Sequence, residues 1–175
     1  MELTPLAATT PALICDDLSN VVAQHPLNIS LFGTFTDRSG HEKNPTWHWF
    51  TSAHWRSVLR SASPQEEEEA TSLSYVADLR ATLAQRGHDP AAATLVADLR
   101  SASAEFAEMW DRHRVSTLHC STKSVFDRQV GRLDLDCVVL AGPLSRQRLL
   151  LLQPVPGTPT TDRLNRLQRL IQEVS

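Results

Sequence analysis

The stretch SAEFAEMWDRHRV, residues 103–115, marks the point at which the sequence changes its periodicity. Read as a helix with Ser103 as its N-cap, it places Phe106, Trp110 and His113 on one face, at the spacing i, i+4 and i+7. Such an aromatic stripe usually packs a core, and it can also form the wall of a ligand cavity. Beyond this stretch the period falls from 3.6 to 2, which predicts that helices give way to strands.

The segments that follow predict a meander of three strands. Residues 116–126 are rich in Thr, Ser and Val, and residues 132–137 alternate strictly, so that Leu133 and Leu135 share one face. The continuous apolar run at residues 149–152 is typical of a strand that is covered on both faces.

The segments that precede the opening stretch predict a hairpin followed by helices. Short apolar runs at residues 12–15 and 21–25 flank a polar turn. Pro26, Pro64 and Pro90 each suit the first turn of a helix, because that turn has no use for the N–H that proline lacks. The last two follow a serine and an aspartate, which are preferred N-cap residues.

The predicted order is therefore two strands, a large helical segment, three strands and a final helix at residues 160–174. An antiparallel sheet with helices packed on one face buries these elements best, which gives an α+β class. The order is also that of a PAS-like sensor domain, with the helical segment between strands 2 and 3. The helix that begins at Pro64 is predicted to bury Leu73, Val76 and Ala77.

Composition argues against several functional classes. The chain has 175 residues, 41% hydrophobic and 21% charged, which is enough for one domain with a core. A net charge of -3 gives no sign of nucleic-acid binding. We expect no membrane segment, because no apolar run is long enough and the first residues lack a signal peptide's basic start. Three cysteines, far apart, are typical of free thiols in the cytoplasm.

Motifs of catalysis and metal binding are scarce. The sequence has no glycine-rich phosphate loop, no Gly-x-Ser-x-Gly elbow, no Cys-x-x-Cys pair and no His-Glu-x-x-His. The spacing of His48 and His54 fits no common zinc pattern. We therefore expect no catalytic or metal-ligating residues, no enzyme activity and no cofactor.

Tryptophan is concentrated in one short segment. Trp47, Trp49, Phe50 and Trp55 lie within nine residues, and Trp110 is the fourth and last tryptophan of the chain. These rings either pack the join between the sheet and the helices or, in addition, form the wall of a cavity for an apolar ligand. Composition leaves both alternatives open.

An ordered set of residues resembles one family of bacterial regulators. The run through Phe106, Trp110 and His113 resembles the MmyB-like ligand-binding domain of bacterial transcription regulators. Further matches, in chain order, are residues 11–33, Asn44 with Phe50, Lys123, Gly131 with Leu133 and Leu135, and the step Pro156-Gly157-Thr158. The resemblance covers residues 11–170.

The resemblance implies a PAS-like sensor with a cavity for a small hydrophobic molecule, a fatty acid being the best-known type. It also implies an N-terminal helix-turn-helix, but none fits in the ten residues before Pro11. We therefore expect residues 1–10 to be a linker or a disordered start and residues 11–175 to be the PAS-like ligand-binding domain. We expect DNA contact only through a helix-turn-helix that is not present in this chain. The alternative is a dimerisation or protein-interaction module with a vestigial pocket, and a homodimer stays open.

The predicted ligand-binding residues come from the aromatic cluster, the helical stripe and the strand face, and they are Trp49, Phe50, Trp55, Phe106, Trp110, His113, Leu133 and Leu135. A fatty acid or another small apolar ligand buries its tail among them, whereas its carboxylate needs solvent or a cation. We expect that cation to be His113, Arg112 or Arg56, with His113 first because it shares the aromatic face.

Overall fold

The computed structural model describes residues 9–59, 64–112, 122–142 and 145–174, and it describes no side chains for residues 64–67 and 174. Within these ranges the strands are β1 (Ala12–Asp16), β2 (Val21–Gln24), β3 (Lys123–Asp127), β4 (Gly131–Ala141) and β5 (Gln147–Pro154). The helices are α1 (Pro26–Phe32), α2 (Pro45–Thr51), α3 (Ala53–Val58), α4 (Pro64–Arg86), α5 (Pro90–Ala102), α6 (Ala104–Asp111) and α7 (Thr160–Val174), with a 3₁₀ turn at Gly40–Lys43.

The five strands form one antiparallel sheet in the order β2-β1-β5-β4-β3. Leu150 of the central strand β5 pairs with Leu13 of β1 on one side and with Val139 of β4 on the other. These three side chains therefore form a row across one face of the sheet, which we call the inner face. The predicted α+β class is confirmed, and the closer likeness to PAS domains stays a prediction.

Side-chain caps fix the starts of the helices, as the sequence predicts. Asp89 accepts the backbone N–H of Ala92 at 3.0 Å, and Ser103 accepts that of Phe106 at 3.2 Å. Each bond satisfies one of the N–H groups that the first turn of a helix leaves without a partner. The helix predicted over residues 103–115 is α6, which ends at Asp111. Its last predicted residue on the aromatic face, His113, lies outside the described residues.

Two clusters of buried side chains hold the helices to one another and to the sheet. The first, which we call the helical core, consists of Leu18, Trp49, Phe50, Val76, Leu79, Ala92, Leu95, Val96, Leu99 and Phe106. The second, the sheet core, consists of Leu27, Val125, Val130, Leu133, Leu135, Leu164 and Leu167. Because the sheet core joins α1 and α7 to the inner face at β3 and β4, the rest of that face, at β1 and β5, is left for other contacts.

Candidate functional site

A cavity of about 150 Å³ lies beside that remaining part of the inner face. Its floor includes the row Leu13, Val139 and Leu150, and Leu152 extends it along β5. A cavity of this size can hold a molecule as large as benzene. The sheet therefore offers an apolar surface against which a small ligand can lie.

Aromatic side chains from the first third of the chain close the cavity on one side. Phe32 at the end of α1, Phe35 in the following loop and Trp55 of α3 all line it. The Trp55 ring centroid lies 5.8 Å from that of Phe32 and 5.2 Å from that of Phe35, the latter in an edge-on arrangement. This part of the wall is a packed group of aromatic rings. The short helices α1 and α3 hold these rings in position.

The wall contributed by α4 is polar. Thr71, Ser74, Tyr75 and Asp78 line the cavity, and their spacing of i, i+3, i+4 and i+7 puts them on one face of the helix. Thr71 and Ser74 are 6% and 4% exposed, so this polar face is buried. A ligand that occupies the cavity therefore meets hydroxyl groups on one side and aliphatic side chains on the other.

An ion pair bridges α4 and the sheet at one end of the cavity. Arg148 of β5 donates to Asp78 at 2.5 Å and to the hydroxyl of Thr82 at 3.2 Å. Burial by itself lowers the pKa of the Arg148 guanidinium, but the hydrogen bond and the charge of Asp78 outweigh it, and the pKa is raised. Arg148 therefore stays charged, and its charge is compensated within the wall.

Lys123, at the start of β3, is the second cation in the cavity wall. Its ammonium donates to the hydroxyl of Thr71 at 2.7 Å and lies 5.9 Å from the ring of Trp49. These contacts hold the amino group against α4 and the helical core.

Two cysteines also line the cavity, one on β1 and one on β4. Cys15 is 3% exposed, and desolvation by burial raises the pKa of its thiol to about 12. Because the thiolate is the reactive form, Cys15 is inert at neutral pH. Cys137 is half-buried and serves here as a second apolar group.

The predicted ligand-binding residues do not come together around this cavity. Trp55 lines it. Trp49, Phe50 and Phe106 are buried in the helical core with Trp110 packed against them, whereas Leu133 and Leu135 belong to the sheet core. His113 lies outside the described residues. A ligand-binding role for these residues therefore stays a prediction, and the packing favours a structural role for most of them.

The two predicted alternative cations for a ligand head group are engaged elsewhere. Arg56 donates to the carbonyl of Trp49 at 2.7 Å and forms an ion pair with Glu105. Arg112 is exposed and pairs with Glu108, one turn earlier in α6. Neither residue lines the cavity.

Sequence reasoning missed the cations that do line the cavity, Lys123 and Arg148. Lys123 was singled out only through the family resemblance, and Arg148 precedes the apolar run of β5 without any motif of its own. The available signal was alternation: Arg148 is two residues before Leu150 and four before Leu152, on the same face of an apolar strand. A charge at such a position predicts a buried partner.

The described ranges also bear on metal and membrane binding. They contain no group of three or more His, Cys, Asp and Glu side chains that could hold a metal ion. In the same ranges, none of the helices combines the length and the apolar character that a membrane crossing needs.

Comparison with known proteins identifies the family. No curated protein matches the chain. The family profile of the MmyB-like transcription regulator ligand binding domain matches residues 6–167, which is nearly the whole sequence. The chain therefore belongs to the MmyB-like family of transcription regulator ligand-binding domains.

Proposed function

We propose that this domain is the sensor of a bacterial transcription regulator and that it binds a small, mainly apolar molecule in the cavity between α4 and the inner face. The observation that carries the proposal is the cavity itself, with its aliphatic floor of Leu13, Val139 and Leu150. Natural interiors are close-packed, so a space of about 150 Å³ in a small domain is unusual. In a ligand-binding family, a ligand is the simplest occupant.

The ligand is proposed to be fatty-acid-like, with an apolar body and one polar end. The aliphatic floor and the rings of Phe32, Phe35 and Trp55 favour burial of a hydrocarbon. The volume favours a short or medium chain, because a long acyl chain would need the walls to move apart. The polar end needs a hydrogen-bond donor or a cation, since a bare carboxylate is costly to bury.

Helix α4 is proposed to pass the signal on to a DNA-binding partner. It forms the polar wall of the cavity, and it is tied to the sheet by the Arg148–Asp78 pair and to the β1–β2 turn by the Arg86–Asp17 pair. A ligand that enters between α4 and the sheet acts on both attachments. Its binding energy then shifts the position of α4, which is what a sensor requires.

A chain-length series tests this function. Binding of straight-chain carboxylates from butanoate to dodecanoate is measured by calorimetry. We expect affinity to rise about fourfold with each added CH₂, or about 0.8 kcal/mol, and to stop rising when the cavity is full. Native mass spectrometry of the purified protein then shows whether a ligand of that size is retained from the cell.

Two matched variants test whether the carboxylate binds in the cavity. Leu150→Phe fills the floor, and we expect it to weaken binding at least tenfold. Leu149→Phe makes the same change one residue earlier, on the other face of β5, and we expect it to leave binding unchanged. Equal effects of the two variants, or no binding at any chain length, would contradict the proposed function.

One observation favours the second candidate, a protein-interaction module. Phe126 of β3 and Leu140 of β4 are 77% and 52% exposed, and their registers place both on the face opposite the inner face. Phe126 pairs with Arg132, near the start of β4, whereas Leu140 is near its end, so the two side chains lie at opposite ends of this outer face, and each can belong to a contact surface there. If this surface mediates a homodimer, sedimentation should show a dimer that Leu140→Lys dissociates, with no carboxylate bound.

A further inference from the structure

Trp55 carries a hydrogen-bond donor for which the described residues provide no acceptor. Among the described residues, two buried side-chain nitrogens have no hydrogen-bond partner, Trp55 Nε1 and Arg80 Nε. The Arg80 guanidinium lies over the ring of Trp110, 4.5 Å from its centroid, and bonds the Trp110 carbonyl. Trp55, in contrast, lines the cavity. Buried donors are almost always paired, so an unpaired one in a ligand-binding wall points to a partner that arrives with the ligand.

Trp49 shows what the same group does where the fold provides a partner. Its Nε1 donates to the hydroxyl of Ser72 at 2.8 Å, in the buried helical core. Ser72 in turn donates to Glu105 at 2.8 Å. The helical core thus satisfies its indole by a chain of hydrogen bonds, whereas the ring of Trp55 is surrounded by Phe32, Phe35 and the imidazole of His48.

Trp55 and Phe32 separate the cavity from a second depression on the surface. Both residues line the cavity, and both also line an outer recess formed by Leu31, Gly33, Arg38, His48, Ser52, His54 and Val58. The two rings are therefore the partition between the cavity and a recess with basic side chains. A molecule that crosses this partition has to displace Trp55, Phe32 or both.

The recess contains a cation near the surface of the domain. Arg38 lies over the ring of Phe35 at 5.2 Å and within hydrogen-bond distance, 3.2 Å, of Nε2 of His48, and its ion pair with Glu42 spans 3.8 Å between two exposed side chains. Exposed pairs of this length contribute little. By comparison, Arg148 inside the cavity is bound to Asp78 at 2.5 Å, and Lys123 is bound to Thr71 at 2.7 Å. The charge of Arg148 is therefore compensated by Asp78 and Lys123 is held against α4, whereas the exposed Arg38 side chain can approach an oxygen anion from the recess.

We propose that Trp55 Nε1 donates to an oxygen at the polar end of the ligand, and that this end lies at the partition and points into the recess towards Arg38. This assignment rests on the proposed function and deepens it. The ligand class is an apolar molecule with a terminal carboxylate or carbonyl oxygen, oriented with its tail on Leu150 and its oxygen at Trp55. The Trp55 ring turns to admit the ligand, since its N–H is buried in the wall. The partition is thus both the entrance and the recognition element.

Removal of the N–H alone tests the assignment. Trp55 is replaced by benzothienylalanine, which keeps the size of the indole and substitutes sulfur for N–H, and octanoate is the probe. We expect octanoate affinity to fall about tenfold, which corresponds to about 1.4 kcal/mol. Because the N–H has no partner without ligand, the unfolding midpoint of the ligand-free protein should not fall. The same replacement at Trp49 should lower that midpoint, since it breaks the bond to Ser72.

Indole proton spectra give an independent readout. Trp55→Phe assigns the Nε1–H signal of Trp55, and octanoate should move this signal downfield as the hydrogen bond forms. The signal of Trp47, which lines neither the cavity nor the recess, should stay in place and serves as the control.

The outcomes separate this assignment from the proposed function. If octanoate shifts the methyl signals of Leu150 and Val139 but leaves the Trp55 signal and the affinity of the benzothienyl protein unchanged, the assignment is wrong and the proposed function stands. If no carboxylate of the series shifts any cavity methyl signal, both are wrong. A loss of stability at position 55 equal to that at position 49 would show that Trp55 already has a partner, which also overturns the assignment.

Discussion

The helical core and the cavity use two faces of the same helix, α4, and they are built in different ways. Val76 and Leu79 are 2% and 4% exposed within the helical core, where apolar side chains close directly on one another. Ser74 and Asp78 lie on another face of α4 and line the cavity. An apolar face is stabilised by direct contact, whereas the polar face of α4 is held to the sheet through the long side chains of Arg148 and Lys123. The length of these two side chains leaves room for the cavity between α4 and the sheet.

The largest expected loss of stability comes from a substitution in the closely packed helical core. Phe106 is fully buried, and its ring centroid lies 5.0 Å from that of Phe50 and 5.5 Å from that of Trp110. Phe106→Ala should lower the free energy of unfolding by about 3–5 kcal/mol, because it leaves a void in a close-packed cluster. Urea denaturation followed by circular dichroism measures this loss. The cavity-wall change Leu150→Ala should cost clearly less, and an equal cost would mean that the two regions are equally packed.

The next largest effect on stability is expected at the contact between the β1–β2 turn and the end of α4. Asp17, in the β1–β2 turn, binds Arg86 at the end of α4, and that hydrogen bond lowers the pKa of the Asp17 carboxyl. At neutral pH, Asp17→Asn should cost about 1.5–3 kcal/mol, as expected for a hydrogen bond between charged groups.

The contribution of Asp17 to the free energy of unfolding depends on pH. A carboxyl whose pKa is lowered by folding stabilises the protein above its unfolded pKa of about 3.9, and the contribution is lost as the pH falls through the lower folded pKa. Urea denaturation at pH 7 and pH 2.5 should therefore show a large difference between wild type and Asp17→Asn at the higher pH and a smaller one at the lower. A difference that does not change with pH would exclude the ion pair as its cause.

Added volume in the helical core should have a somewhat smaller effect. Ala92 of α5 is fully buried among the side chains of the helical core. Ala92→Leu forces extra methyl groups into filled space, so we expect a loss of about 1–3 kcal/mol in urea denaturation. A stable variant would reveal free volume next to α5.

The smallest effect on stability is expected for a substitution that adds volume in the cavity. Val139 lines the cavity, and Val139→Leu adds one methylene there. We expect the free energy of unfolding to stay within about 1 kcal/mol of the wild type or to rise, because the new group enters existing space. Urea denaturation of Val139→Leu and of the wild type measures this difference. A cost equal to that of Ala92→Leu would show that the cavity is closed in solution.

Local chemistry made part of the fold predictable. The N-caps Asp89 and Ser103 precede helices that begin where predicted, and Leu164, Leu167 and Ile171 of α7 pack on the sheet core as their helical spacing predicts. Each of these features depends on residues within a few positions of one another. Helix caps and amphipathic faces can therefore be read directly from the sequence.

The cavity could not be predicted in the same way, because it depends on pairings between distant parts of the chain. Its floor exists only because β5 lies between β1 and β4, which brings Leu13, Leu150 and Val139 into one row. Its polar wall could not be predicted, because the buried face of a helix is predicted from the spacing of its apolar residues. Thr71 and Ser74 are buried but polar, so this criterion does not find them. In the aromatic cluster Trp49 and Phe50 are buried and Trp47 and Trp55 are half-buried, and of its three tryptophans only Trp55 lines the cavity.

The central position of β5 also sets an order for biosynthesis. The hairpin of β1 and β2 leaves the ribosome before the other three strands, but β1 has a free edge until β5 forms hydrogen bonds with it. An unpaired edge can associate with other chains, and contacts between distant residues form slowly. During synthesis the hairpin therefore waits with its edge exposed until residues 147–154 have emerged, and slower translation of the helical segment lengthens that exposure. A ligand cannot shorten it, because the cavity floor is complete only when β5 is in place.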